Sequence, residues 1–279
     1  MIEKTEAIVL KSMRYRETSR IVTFYSDRFG KISGIAKGAR STKSKFGSSL
    51  EPLAHVALVL YKKEQRDLHL VSQCDLLRYH KNVNSDMDRL PIALAMIELL
   101  NQVTHEEEQH HELFVLLREC LAILEISSRN FFGVFLAFAL RMAALFGYRP
   151  DFQKCLKCGS LLSSEAGTHT LFFHAQKGGF YCGICSNHHD NMVDKSAHRR
   201  SSESKRFGCE IFGSRPVRTT VPAAKFLERL SSVPVERLPR LTFDGVMGNE
   251  LHELVRLYLQ SHFEDVCMPR SLTMFHTKG

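Results

Sequence analysis

The sequence has 279 residues and a formal net charge of +8, which favours a polyanionic partner such as nucleic acid. Its hydrophobic content of 44% and charged content of 24% are ordinary for a soluble globular protein. The most apolar stretch, Asn130 to Leu140, is too short to span a bilayer, which takes about 20 apolar residues, and the N-terminus shows no secretory signal. We therefore expect a cytoplasmic protein with no membrane partner.

The first part of the chain reads as β-strands rich in Val, Ile and aromatic residues. Asp27 to Gly30 is a hairpin signal, and a second hairpin is expected around Glu64 to Arg66. Five strands at close spacing predict a small barrel, with a five-stranded OB-fold as the candidate and an SH3-like barrel as the open alternative. The predicted strands are Glu6–Ser12, Arg20–Ser26, Lys31–Gly38, Leu53–Lys63 and Asp67–Leu77.

Beyond about Arg78 the apolar residues recur at helical spacing, so the fold class is α+β and multidomain. The third predicted helix is apolar on nearly every face, which predicts that it is the buried centre of a bundle. The segment Ser186–Arg206 is polar and reads as a loop. The predicted helices are Arg89–Val103, His111–Ile126, Asn130–Tyr148, Val221–Ser232 and Asn249–Phe263.

Four of the eight cysteines have the spacing of a metal site. Two C-x2-C pairs are separated by 23 residues that read as a short hairpin turning at Gly178-Gly179, which is the layout of a zinc ribbon. These cysteines predict one structural zinc ion per chain. They are Cys155, Cys158, Cys182 and Cys185.

Other uses of the paired cysteines fit the sequence less well. Disulfides are uncommon in a chain of this size without an export signal, and neither pair lies in the strand–helix context of a thioredoxin motif. A catalytic zinc keeps an open position, whereas four cysteines close the shell. A deaminase needs Pro before its C-x2-C, but Lys154 precedes Cys155.

A basic stretch from Arg28 to Leu50 contains no acidic residue, and its Ser and Gly residues allow backbone amides to approach phosphates. The alternative is a solvated loop. Phe24, Tyr25, Phe46 and Tyr61 are either stacking rings or barrel core. There is no Walker motif, and we expect no enzyme activity. The candidate DNA-binding residues are Arg14, Arg16, Arg20, Lys31, Lys37, Arg40, Lys43 and Lys45.

The ordered combination of these motifs resembles the bacterial RecO family of recombination mediators. The resemblance is most specific in "EAIVLKSMRYRETSRIVTFYSDRFGKISGIAKGAR" and "GSSLEP", and it continues through "FFGVFLAFALRMAALFGYRPDFQKCLKCG" and "GGFYCGIC". It implies an OB-fold domain at residues 1–80, a helical domain at 81–150 and 215–279, and an inserted zinc ribbon with its polar loop at 151–214.

The resemblance also implies a function. Members of this family bind single- and double-stranded DNA, anneal complementary strands, and act with RecR and single-strand binding protein to load RecA. Binding of the acidic C-terminal tail of single-strand binding protein requires a hydrophobic pocket with a cation at its rim. The candidate cations on apolar helices are Arg118, Arg129 and Arg141. The alternatives are a zinc-ribbon OB protein that binds RNA or a polymerase, and a structural protein adaptor.

Overall fold

The computed structural model describes residues 1–62, 67–162, 170–186 and 215–274. The chain divides into two compact units, one formed by Met1–Phe138 with Met268–Gly279 and the other by Ala139–Cys267. The three-part division expected from the sequence stays a prediction. The turn expected at Glu64–Arg66 and the polar loop after Ser186 lie outside the described residues.

The first unit begins with a closed five-stranded barrel whose order is β1-β2-β3-β5-β4. All neighbouring strands are antiparallel except β3 and β5, which pair in parallel. This order is that of the OB-fold, so the OB-fold prediction is confirmed and the SH3-like alternative is excluded. The strands are β1 (Ile2–Tyr15), β2 (Ser19–Ser26), β3 (Gly30–Ala36), β4 (His55–Tyr61) and β5 (Leu68–Arg78).

Strand β1 is twice as long as the sequence indicates because it serves two neighbours. Its first half, from Ile2 to Ile8, pairs with β4, and its second half, from Ala7 to Tyr15, pairs with β2. A bulge between Val9 and Lys11 bends the strand where it changes partner. The middle of the strand, from Ala7 to Leu10, is buried on both faces, so polar and apolar residues do not alternate there.

Alternate side chains of the strands fill the barrel, as the period of two requires. Phe46 and Leu50, from the loop between β3 and β4, complete the same core. Cys74 is buried in this core as a small apolar residue. The core also contains Val9, Val22, Phe24, Ile32, Val56, Leu58, Leu60 and Val71.

Helices follow the barrel. Helix α1 (Lys81–Ser85) was not predicted, and its first backbone N–H groups bind the Glu125 carboxylate. The predicted helices appear as α2 (Leu90–Val103), α3 (His111–Ile126) and α4 (Phe131–Leu145). Residues 132 to 140 of α4 are all buried, which confirms its prediction as a central helix.

The second unit contains a four-stranded sheet of order β6-β8-β7-β9. Two longer helices of this unit, α6 and α7, agree with the predicted ones to within a few residues. No helix among the described residues is long and apolar enough to cross a membrane. The elements are β6 (Asp151–Cys155), β7 (Thr170–His174), β8 (Gly179–Cys182), α5 (Gly183–Ser186), β9 (Val217–Thr220), α6 (Val221–Ser232) and α7 (Gly245–His262).

Candidate functional site

Two tight turns bring the four cysteines together. The first pair spans the end of β6 and a turn in which the Gly159 N–H donates to the Cys155 carbonyl at 2.9 Å. Gly159 has a φ of +71° and open space around it, so glycine suits this left-handed turn. The second pair joins the end of β8 to α5. The strands β7 and β8 form the predicted hairpin, with Gly178 in the left-handed region at its turn.

The sulfur atoms lie where one tetrahedral ion would hold them. All four Sγ atoms are within 4.8 Å of one another, and those of Cys158 and Cys182 are 3.9 Å apart. Four thiolates at 2.3 Å from a zinc ion would be about 3.8 Å apart. The chemistry and spacing of these donors therefore fit a metal ion with four sulfur ligands.

Hydrogen bonds prepare part of the cluster for the thiolate form. Burial raises the pKa of the Cys155 thiol, but backbone N–H donors, including that of Cys182, outweigh it and leave the pKa below its ordinary value. Hydrogen bonds from Ser160 lower the pKa of Cys158 to about 6, whereas burial and the neighbouring thiols raise the pKa of Cys185 to about 12. Four thiolates this close repel one another, so a divalent cation is needed to keep all four deprotonated.

Aromatic packing attaches this ribbon to the helices of its own unit. The ring of Phe180 lies 5.7 Å from that of Phe152 and 5.1 Å from that of Phe173, between centroids. Phe173 in turn lies 6.4 Å from Tyr258 of α7, whose hydroxyl donates to the Tyr148 carbonyl at 2.6 Å. The ribbon thus has a small apolar core in addition to the metal site.

Most of the predicted DNA-binding residues meet at one end of the barrel. There the turn between β1 and β2 lies against the long loop between β3 and β4, since the Arg40 N–H donates to the Thr18 carbonyl at 2.9 Å. Arg14 and Arg20 face each other across β1 and β2, and Arg20 is in register with the last residue of β3. We call this end the near basic surface: Arg14, Arg16, Arg20, Lys37, Arg40 and Lys43.

The cations of the near basic surface differ in whether they form ion pairs or hydrogen bonds with other residues of the protein. Arg20 forms an ion pair with Glu51 at 2.8 Å, and the Arg40 guanidinium donates to the carbonyls of Arg16 and Glu17. By contrast, four exposed cations have no ion pair or side-chain hydrogen bond in the described part of the chain. These are Arg14, Lys37, Lys43 and Arg16, the last of which lies over the Tyr15 ring.

Lys45 and Lys31 lie apart from that group. Lys45 is further along the loop, where its ammonium donates to the Ser72 carbonyl of β5 at 2.5 Å and lies over the Phe46 ring. Lys31 is the second residue of β3, whereas Lys37 follows its end, so the strand separates them by about 20 Å. The Lys31 ammonium donates to the Asn101 carbonyl of α2 at 3.0 Å.

Three of the four candidate stacking rings belong to the core. Phe24, Tyr25 and Phe46 are buried, whereas Tyr61 is 41% exposed at the end of β4. Buried rings cannot stack on a base, so these three residues contribute packing instead.

The three arginines considered for a partner tail have different surroundings. The Arg118 guanidinium lies 3.9 Å from Glu6 and stacks over Phe114. Arg141 donates to the carbonyls of Leu230 and Val233 at the end of α6. Arg129 is exposed, and no ion pair or hydrogen bond is found for it in the described ranges. Arg118 and Arg129 belong to the first unit and Arg141 to the second, and all three stay candidates.

A second group of cations, of which only Lys31 was among the candidates from the sequence, lies at the end of the barrel where β3 begins. The Phe29 ring has the Arg28 guanidinium 5.1 Å and the Lys62 ammonium 4.8 Å from its centroid. We call Arg28, Phe29, Lys31 and Lys62 the far basic surface. Arg28-Phe29 was visible as a cation beside an aromatic residue, but Lys62 is brought there only by barrel closure.

Known proteins match the chain over nearly its whole length. The model for Recombination protein O N terminal matches residues 1–80, and that for Recombination protein O C terminal matches residues 84–202. The DNA repair protein RecO of Chloroherpeton thalassium is 31% identical over 278 residues, which cover 99% of this chain and 98% of that protein. The RecO protein of Chlorobium limicola is 30% identical over 277 residues, with 98% and 97% covered. With its OB barrel and four-cysteine cluster, the chain belongs to the RecO family of DNA repair and recombination proteins.

Proposed function

We propose that this chain is a non-catalytic mediator that binds single- and double-stranded DNA at the near basic surface and anneals complementary strands. The observation that supports this most is the convergence of Arg14, Lys37 and Lys43, three exposed cations without protein partners, at one end of an OB barrel. Cations in this state keep their full charge for phosphates, and each contact releases condensed counterions from the DNA.

Annealing follows from the same electrostatics. Two complementary strands repel each other through their phosphates, and a surface that neutralises part of this charge lowers the barrier to their approach. The Arg40 bonds to the carbonyls of Arg16 and Glu17 hold the two loops of this surface together, so the cations form one patch. Flexible Ser and Gly neighbours leave room for a backbone of any sequence.

We further propose that the chain acts with RecR and single-strand binding protein to load RecA, as the family resemblance implies. For the acidic tail of single-strand binding protein, Arg129 is the best-placed of the three arginines. It is exposed and follows Ile126, which is 78% exposed, so a cation and an apolar side chain are available together. Arg118 already interacts with Glu6, and Arg141 is engaged at the end of α6.

The metal ion we propose for the four cysteines is zinc, one per chain. Its closed shell of thiolates leaves no position for a substrate, so its role is structural. The ion would fix the two turns at the ends of β6 and β8, which the small aromatic core alone holds weakly.

The DNA proposal is tested by the salt dependence of binding to a single-stranded oligonucleotide. Lys37→Gln with Lys43→Gln should flatten the slope of log K against log salt by about 1.4, at about 0.7 per lost phosphate contact. Arg78→Gln with Lys81→Gln removes the same charge from exposed positions outside the near basic surface and is the matched control. Equal slopes for the two double variants would refute the site.

The mediator role is tested by strand annealing with and without single-strand binding protein. Wild type should anneal complementary strands that this protein coats, and the Lys37→Gln, Lys43→Gln variant should do so more slowly. An RNA oligonucleotide of the same sequence, bound more tightly than DNA, would instead favour an RNA-binding protein. Titration of a tail peptide onto wild type and Arg129→Ala tests the partner site, with Arg118→Ala for comparison.

A further inference from the structure

The loop between α2 and α3 is acidic and lies on the barrel. It contains Glu106, Glu107 and Glu108 in succession, all exposed. The Glu107 N–H donates to the Lys31 carbonyl at 2.8 Å, and Glu106 forms a bridge with the same residue of β3. The loop therefore adds three carboxylates to the barrel end that carries the far basic surface.

Two of these carboxylates act on the cations beneath them, whereas the Glu108 carboxylate contacts His110 at 3.1 Å. Glu107 contacts the Lys62 ammonium at 2.8 Å and accepts from the His69 Nε2 at 3.0 Å. The hydrogen bond from Lys62, helped by His69, lowers the pKa of Glu107. Burial lowers the pKa of Lys31, and the charge of Glu106 opposes that shift. Lys62 is thus paired with Glu107, while the Lys31 ammonium donates to the Asn101 carbonyl close to the charge of Glu106.

The contact is close but leaves polar atoms unsatisfied. A Cβ at Gly30 would lie 1.8 Å from the Glu108 carbonyl oxygen, so the loop backbone lies directly on the barrel. Under it, the Tyr25 hydroxyl and the His69 Nδ1 are buried without a hydrogen-bond partner among the described residues. A buried polar atom without a hydrogen-bond partner is destabilising, so these two atoms raise the free energy of the covered state.

We infer that the far basic surface is a second phosphate-binding surface for single-stranded nucleic acid, and that Glu106, Glu107 and Glu108 act as a competing cover. The inference rests on the proposed DNA-binding function. A nucleic-acid strand presents anionic groups to Lys31 and Lys62 as Glu106 and Glu107 do, and the partly buried Phe29 ring holds the Arg28 and Lys62 cations side by side at this end of the barrel. Binding there requires Glu107 to give up Lys62 and the loop to move its charges away from Lys31.

The two basic surfaces lie at opposite ends of β3, about 20 Å apart. One barrel therefore has the charges to hold two strands, which is the requirement of annealing. In the covered state only the near basic surface is available to bind DNA. The acidic loop then determines how readily a second strand binds to the far basic surface.

The test compares two sets of charge removal. Glu106→Gln, Glu107→Gln and Glu108→Gln together keep the side-chain size and remove the charges that compete with phosphates for both lysines, so the salt slope for a single-stranded oligonucleotide should steepen by up to about 1.4. The matched control is Asp75→Asn, Glu112→Gln and Glu119→Gln, which changes the net charge equally at other positions of the first unit. Circular dichroism and thermal melts check that all variants fold.

A double-mutant cycle completes the experiment. Lys31→Ala with Lys62→Ala should flatten the slope by about 1.4 in the three-glutamine background and by less than half of that in wild type. Two results would overturn the inference. One is a salt slope that steepens equally in the three-glutamine variant and in its control, and the other is an equal change in slope on lysine substitution in both backgrounds. DNA binding by wild type, and its weakening in the Lys37→Gln, Lys43→Gln variant, test the proposed function separately. The proposed function and this inference can therefore fail independently.

Discussion

Arg40 donates two hydrogen bonds from one guanidinium nitrogen, to the carbonyl of Arg16 at 3.3 Å and to that of its neighbour Glu17 at 3.1 Å. The long loop between β3 and β4 is thereby fastened to the turn between β1 and β2. Arg16 itself has a φ of +52°, a conformation that such contacts help to maintain. One arginine of the candidate DNA surface thus also organises that surface.

A first prediction separates these two roles of Arg40. Arg40→Lys keeps the charge but cannot donate to both carbonyls in the same way, so protease cleavage between residues 37 and 45 should increase while the salt slope for DNA stays unchanged. Arg40→Ala should increase cleavage and also flatten the slope by about 0.7. If cleavage of the lysine variant equals that of wild type, the fastening role is wrong.

The cysteine cluster gives a second prediction. Purified protein should contain about one zinc ion per chain, and Cys158→Ser should lose it because three ligands no longer close the tetrahedron. Proteolysis should then begin in the ribbon, near residues 156 to 160, while α6 and α7 stay resistant. Cys74→Ser is the matched control, since this buried cysteine is remote in sequence from the cluster. Metal content unaffected by Cys158→Ser would contradict the site.

A third prediction concerns the end of α6. Arg141 donates to the carbonyls of Leu230 and Val233, which lie at the helix terminus where carbonyls lack intrahelical partners. Arg141→Ala should lower the free energy of unfolding by about 2 kcal/mol, the scale of hydrogen bonds to a charged group that is lost. The free energy of unfolding of Arg141→Lys should lie between those of wild type and Arg141→Ala, because an ammonium cannot donate to both carbonyls at once as the guanidinium does. Urea unfolding measures the stability of both variants. Midpoints equal to that of wild type would contradict a stabilising role for Arg141.

The fourth prediction is a pH dependence. Burial lowers the pKa of His80 from 6.5 to about 4, although the Glu125 charge opposes this shift. The unfolded chain therefore binds a proton between these values that the folded chain does not, and stability falls as the pH drops below 6.5. Below about pH 4 both states are protonated and this contribution stops changing.

His80→Gln isolates that contribution. Between about pH 7.5 and about pH 5, wild type should lose about 2 kcal/mol more of unfolding free energy than the variant. Arg78 and His55 also face this imidazole, so each variant is compared with itself at the two pH values. A parallel loss in both proteins would show that other groups cause the acid sensitivity.

The sequence predicted those features that depend on local patterns. Helices α3 and α6 have the predicted bounds, and α6 begins with Thr220 accepting from the Ala223 N–H, a cap that a pattern can reveal. The cysteine cluster followed from spacing alone. The predicted strand Lys31–Gly38 already separated Lys31 from Lys37, but charge counting grouped them in one basic stretch, whereas the structure has them at opposite ends of β3. Likewise, an arginine on an apolar helix does not reveal that its partners are the carbonyls of Leu230 and Val233.

The boundary between the two compact units falls between Phe138 and Ala139, two buried residues in the middle of α4. Domain boundaries usually lie in exposed linkers, where a protease can cut and where fragments can be separated. Here a fragment that ended at the boundary would break a helix and expose its apolar side chains to water. Chimeras between relatives should therefore be joined elsewhere, and the whole of α4 should come from a single parent.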